Sequence, residues 1–258
     1  AFIDGYFTTD ISTKIKSNSA MFGGFGSFKD GIEIKNLEFL NTVGDSVQNC
    51  YADLDGGVLY IKGTIDSARV VNNYFYHNYA GRNGGLIYFE DVNGLDNSSL
   101  TFANDSCKNN DDLSKWTFTS GGNGGVLYLK NINKVKIADC KFDGIFSKDS
   151  GGAVFVSAVD EFKFSNNESY NNRSNEGFGG VVYLTNAKDA TFNGNIYFAN
   201  YAESGGSLYF RNGNIQIDND EIDYNSAKSK AGGFYISEAS GGIKNSIFQK
   251  NELQDTYS

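Results

Sequence analysis

The 258-residue chain contains no proline, one histidine, one tryptophan, one methionine and three cysteines. Each scarcity excludes something. Without proline, a ladder of backbone hydrogen bonds can run unbroken, because a proline inside a sheet deletes a donor. Three cysteines, Cys50, Cys107 and Cys140, are too few for a disulfide scaffold and lack metal-ligand spacing. They leave the redox compartment undecided. The lone His77, in Tyr76-His77-Asn78, reads as a structural bend residue. With 22 Lys+Arg against 31 Asp+Glu, a net charge of −9 and a pI near 4.7, the chain lacks the basic footprint of a nucleic-acid or anionic-membrane partner. No apolar run approaches the ~18 residues that a membrane-spanning helix needs. No signal peptide opens the chain, and Ala1 in place of Met reads as a processed protein or a fragment.

What is abundant is glycine, 31 residues, and much of it lies in one motif. Gly-Gly followed by an apolar-aromatic run occurs seven times: GGVLYI from Gly56, GGLIYF from Gly84, GGVLYL from Gly124, GGAVFV from Gly151, GGVVYL from Gly179, GGSLYF from Gly205 and GGFYIS from Gly232. The starts lie 28, 40, 27, 28, 26 and 27 residues apart. A steady period in this range marks a solenoid, whose units bury their apolar faces only by stacking. A degenerate copy, Gly23 to Phe28, precedes them, making about eight coils and a rod of about 38 Å at ~4.8 Å per stacked strand. Residues 1–22 are expected to cap the first coil and 108–122, with Trp116, to form a loop leaving the rod.

Within each unit the apolar period is 2, the signature of strand. A second alternating run follows, with copies Ile32-Glu33-Ile34, Ala68-Arg69-Val70, Leu100-Thr101-Phe102, Val135-Lys136-Ile137, Phe162-Lys163-Phe164, Ala190-Thr191-Phe192 and Ile215-Gln216-Ile217. Then an apolar residue precedes an Asn by three: Phe75 and Asn78, Tyr197 and Asn200, Ile222 and Asn225, Phe248 and Asn251. The expectation is an all-β, single-domain parallel β-helix over 1–258 with three short strands per coil. Asn residues at the bends (Asn73, Asn104, Asn167, Asn195, Asn219, Asn245) are expected to adopt turn conformations and bond neighbouring backbone.

The pairing of a GG-aliphatic with an FxxN motif resembles the repeats of the polymorphic membrane protein family, bacterial surface proteins with β-helical passenger domains; protist surface proteins carry similar repeats. The resemblance spans roughly Gly23 to Asn251, with FxxN complete only at Phe75 and Phe248. It implies a right-handed coil and a surface or adhesive role, and carries over no catalytic residue.

In-register stacking turns each repeat position into a column. Leu59, Ile87, Leu127, Val154, Val182, Leu208 and Phe234, with the residues two further on, are uniformly apolar and are placed inside. Tyr60, Tyr88, Tyr128, Phe155, Tyr183, Tyr209 and Tyr235, between them, are then placed outside as an exposed aromatic ladder. Such a strip either stabilises the sheet or docks glycans or a neighbouring rod. The outward column of the second run reads Glu33, Arg69, Thr101, Lys136, Lys163, Thr191, Gln216 and Lys244, a solvated face. Cys107 and Cys140 align as stacked neighbours, near enough for a disulfide or equally suited to fill the core as free thiols, while Cys50 falls elsewhere and stays unpaired. Asn97, Asn104, Asn167 and Asn172 fit the N-glycosylation rule, with Asn172 and Asn104 foremost. The acids Asp218, Asp220, Glu221 and Asp223, and the sparser Asp53 with Asp55 and Asp111 with Asp112, read as solvated turns. The Gly-His-Gly and Arg-x-Lys signatures of polysaccharide hydrolases with this fold do not occur. The expected function is a secreted or surface-displayed structural or adhesive protein, self-associating through its thinly covered last coil, with no cofactor. A carbohydrate-binding module and a polysaccharide-active enzyme are the alternatives.

Overall fold

Among the described residues of the computed structural model every strand pairing is parallel, as a chain that coils in one sense requires. It describes residues 15–16, 18–28, 33–34, 37–40, 46–91, 98–108 and 119–254. The Gly-Gly strands run in chain order through Gly26–Phe28, Leu59–Ile65, Ile87–Asp91, Leu127–Ala138, Val154–Ser165, Val182–Asn193, Leu208–Asp218 and Phe234–Lys244. These eight strands make about seven turns, one fewer than the repeat count suggests. The FxxN segments form a second, nine-stranded sheet from Ile15–Lys16 to Ile247–Gln249.

The coil is divided differently from expectation. From Leu127 onward the Gly-Gly run and the second run are one strand of 11 or 12 residues. A left-handed residue bends each: Asn131, Ala158, Asn186, Asn212 and Glu238, with φ between 52° and 65°. The third side comes instead from short strands just before the glycines. Ser19–Ala20, Tyr51–Ala52 and Tyr79–Ala80 form one sheet, and Phe146–Ser147, Arg173–Ser174, Tyr201–Ser204, Ser226–Lys230 and Glu252–Leu253 another. At two to five residues these are too short to show a period. Ile15–Lys16 and Ser19–Ala20, assigned to a cap, already pair with the next coil's strands. Residues 1–14 and 109–118, including Trp116, Asp111 and Asp112, lie outside the described residues.

Register corrects both ends of the second-run column. Glu38, not Glu33, stands beside Arg69, and Gln216 stands beside Gly242, not Lys244. Leu37-Glu38-Phe39 is therefore the first coil's copy; both segments alternate, so pattern alone does not separate them.

The two glycines have distinct tasks. The first, at Gly56, Gly84, Gly124, Gly151, Gly179 and Gly205, has φ of 64° to 70°, and in the last coil Ala231 takes that place at 50°. The second lies under the next coil's backbone: a Cβ on Gly57, Gly85, Gly125, Gly152, Gly180 or Gly206 would meet a carbonyl oxygen at 1.9 to 2.1 Å. Beyond them the inward columns fill the core, and Leu59, Ile87, Leu127, Val154, Val182 and Leu208 are all buried. Phe39, Phe75, Phe102, Phe142, Phe164 and Tyr197 continue the packing as an internal zigzag of rings 6.2 to 6.4 Å apart.

Two buried ladders turn the corners. Asn72, Asn104, Asp139, Asn166, Gly194, Asn219 and Asn245 are left-handed, with φ of 50° to 69°. Each next residue points inward: Asn73, Asp105, Cys140, Asn167, Asn195, Asp220 and Ser246. The bend asparagines thus belong to two adjacent columns, one exposed and strained, the other buried. A second ladder follows the FxxN strands through Asn78, Asn172, Asn200, Asn225 and Asn251. The backbone N and Nδ2 of Asn200 donate to Oδ1 of Asn225, both at 2.9 Å, and Nδ2 also donates to the Ser169 carbonyl at 3.0 Å. Its own Oδ1 accepts the same pair from Asn172.

This geometry overturns the cysteine alignment. Cys107 pairs with Phe142 and projects into the FxxN column, whereas Cys140 stands in a ladder rung two residues earlier. All three thiols are buried and free, and Cys50 occupies a rung of the other ladder. Burial pushes the Cys107 and Cys140 thiols well up.

Replacing Asn200 by Ala removes one rung and strands donors and acceptors on both sides. We expect a loss of about 2–4 kcal/mol in urea unfolding, against under about 0.5 kcal/mol for exposed Thr191→Ala.

Candidate functional site

Because the Gly-Gly strands pair without slippage through Tyr60, Tyr88, Tyr128, Phe155, Tyr183, Tyr209 and Tyr235, their rings stack. Successive centroids are 4.9, 4.8, 4.9, 5.0, 5.3 and 5.0 Å apart and the planes differ by 3° to 24°. Strand separation itself, ~4.8 Å, is close to the spacing at which aromatic rings stack with an offset. Phe22 caps the stack against Tyr60, and Phe178, which the repeat pattern did not reveal, packs on Tyr209 at 4.8 Å.

The ladder exists but is not an open strip. Tyr60 and Tyr88 are buried, at 8 % and 9 % exposed, and the other five are half-buried. Each ring's faces are taken by its neighbours, so the column offers water its edges. A sugar packs on an aromatic face, and the faces along this column are already occupied.

Charges flank the buried end. The Tyr88 hydroxyl donates to Glu90 Oε2 at 2.6 Å and Lys130 Nζ to Oε1 at 2.9 Å, with Lys62 at 3.9 Å. Burial pushes the Glu90 carboxyl up, but these donors outweigh it and hold it below its ordinary range. Burial and the Glu90 partner raise the Tyr88 phenol. On the other flank Arg82 pairs with Asp55, which also accepts from Asn83 N and Nδ2, each at 3.1 Å. Both carboxylates are thus engaged by partners that favour their ionised form.

The remaining candidates scatter. Asp218 pairs with Lys244 at 3.3 Å, Asp223 accepts from Gln249, and Asp220 is a ladder rung, so the acidic set does not converge. No three metal-binding side chains cluster among the described residues. His77 occupies a left-handed corner with its ring 3.8 Å from that of Tyr76. Asn167 and Asn172, two of the four sequons, are buried rungs at 0 % and 1 % exposure whose amides donate to Asn195 and Asn200. A glycan on either is incompatible with this fold. Asn104 is exposed at its corner, and Asn97 lies outside the described residues.

A second aromatic surface went unnoticed in the sequence. Tyr170 and Phe198 face outward on the FxxN sheet and Tyr224 stands at the left-handed corner just after it, the last two 39 % and 47 % exposed. Their rings are tilted by 57° and 58° rather than stacked, and Lys141 and Lys250 lie over Tyr170 and Tyr224. Tyr224 sits one column over, so no single repeat position links the three.

Compared with protein-family models, curated proteins and solved structures, the chain matches none. Its identity thus rests on the solenoid and the motifs that build it.

Tyr128→Ala should cost about 1–3 kcal/mol by opening the stack on both sides, and Tyr128→Phe under about 1 kcal/mol, since Phe155 already fills an equivalent place. Thermal unfolding of the two variants checks the difference.

Proposed function

We propose that this chain is a structural or adhesive β-solenoid, secreted or displayed at a cell surface, that associates through its last coil. The carrying observation is the state of that coil. Phe234–Lys244, Ile247–Gln249 and Glu252–Leu253 each pair on one side only among the described strands. Ile243, Ile247, Phe248 and Leu253 are 44 % to 55 % exposed. Unpaired backbone beside an open apolar layer is a template for further strands, from more of the same chain or from a second copy, which carries the matching repeat. The motifs shared with polymorphic membrane proteins favour a right-handed coil and a surface location. The dispersal of Asp218, Asp220 and Asp223 onto separate partners weighs against polysaccharide cleavage by that acidic set.

Light scattering over a concentration series tests this. The native chain should grow in mass with concentration, and Ile247→Asp with Phe248→Asp should abolish the growth. A chain that stays monomeric at high concentration removes the reading.

The second reading, carbohydrate binding, moves from the Gly-Gly ladder to the surface around Phe198, whose ring is tilted against both Tyr170 and Tyr224, the faces of those two being partly taken by Lys141 and Lys250. A glycan array with native chain and Phe198→Ala separates the two. Binding lost in the variant favours carbohydrate, and no binding by either favours the structural role.

A further inference from the structure

Two rungs of the first buried ladder are carboxylic acids. Asp105 and Asp220 stand where the preceding coils carry Asn73 and Asn195, and each Oδ1 performs the Asn task. Asp105 Oδ1 accepts from Asn73 N and Nδ2 at 2.7 and 2.9 Å, and Asp220 Oδ1 from Asn195 N and Nδ2 at 2.8 and 3.0 Å. The second oxygen differs. In an Asn rung that position is Nδ2, which donates to a carbonyl of the preceding coil: Asn73 to Phe39, Asn167 to Ile137, Asn195 to Phe164. By register the equivalent carbonyls are those of Val70 for Asp105 and Phe192 for Asp220. Both Oδ2 atoms are buried and receive no hydrogen bond, and the residues are 1 % exposed. An ionised Oδ2 would set a bare charge against a carbonyl oxygen in the core. A protonated one donates as the amide does.

We propose that Asp105 and Asp220 are held protonated as amide stand-ins, making the solenoid an acid-stabilised scaffold that loosens as pH rises toward neutrality. Burial favours the neutral acid and outweighs the donors that favour the ionised one, Asn73 and the Ala103 backbone at Asp105 and Asn195 at Asp220. Around Asp105 lie Asn73 and the thiols of Cys107 and Cys140. Around Asp220 lie Asn195, Ser246, the buried Tyr197 phenol and Asp218, whose own partner is Lys244. None of these groups is a cation in contact with either acid. Burial pushes Asp105 well up and Asp220 from its ordinary 3.8 to about 7. The sign follows: between these values the folded chain keeps a proton that the unfolded chain loses. That contribution is therefore present at low pH and is lost as pH rises toward 7.

The test is urea unfolding of the whole chain from pH 5 to pH 8, for the native sequence, Asp220→Asn and Asp105→Asn. The Asn variants supply the missing donor at every pH. Relative to Asp220→Asn, the native folding constant should fall by roughly a hundredfold over this range, and Asp105→Asn should stabilise the chain at pH 8. Native and variant profiles that stay parallel overturn the proposal. Difference infrared spectroscopy of the native chain needs no variant. A protonated-carboxyl band at pH 6 that bleaches toward pH 8 is expected, and its absence at pH 6 overturns the proposal.

Discussion

The rest of the structure depends on how each coil turns its corners. A chain that changes direction every few residues must bury backbone donors and acceptors at each bend, where no strand partner reaches them. Here a left-handed residue makes the turn and the next side chain points inward to answer the coil beside it. An Asn amide suits this because it accepts two hydrogen bonds from one neighbour while donating to the other. The ladder therefore fixes the distance between coils and their registration, and the other columns inherit both. Cys140, which lacks an amide, marks where the first ladder is interrupted; its backbone N still donates to Asn167.

The aromatic ladder is a consequence of that registration. Tyrosine placed once per coil at strand spacing has little choice but to stack, and stacking consumes the faces that a ligand would use. The column resembles a second spine, external to the core, more than a binding strip. At the FxxN sheet the rings are neither in one column nor coplanar, so they do not close on one another, although Lys141 and Lys250 each cover a face of Tyr170 and Tyr224. Aromatic content alone does not separate these two situations.

The ladder also explains why an acid is tolerated in the core. Asp and Asn are nearly the same shape, and only the proton distinguishes their hydrogen-bonding capacity. A fold that demands an amide at a given place thus sets the ionisation of an acid put there. The capacity of one coil to receive another has the same origin, since every coil presents to the next a surface complementary to its own repeat.

How much was legible follows from what each signal encodes. The Gly-Gly period, the inward aliphatic columns and the outward Tyr positions are written in local alternation, and a period of 26 to 28 residues leaves few architectures other than a parallel solenoid. The sequence by itself therefore determined fold class, the inner and outer faces of the Gly-Gly strand, and the place of the aromatic column. It did not determine register between segments of similar pattern. Glu33 and Glu38 both sit in alternating runs, and Ser106-Cys107 and Asp139-Cys140 look alike, yet the sheet aligns Cys107 with Phe142. Nor did it separate an exposed Asn at a corner from the buried Asn beside it, as with Asn104 against Asn167. Those distinctions rest on hydrogen bonds to residues some 25 to 32 positions away. Only the stacked tertiary structure brings such partners together, so only it decided which amides are rungs, which sequons are closed and which acids are held neutral.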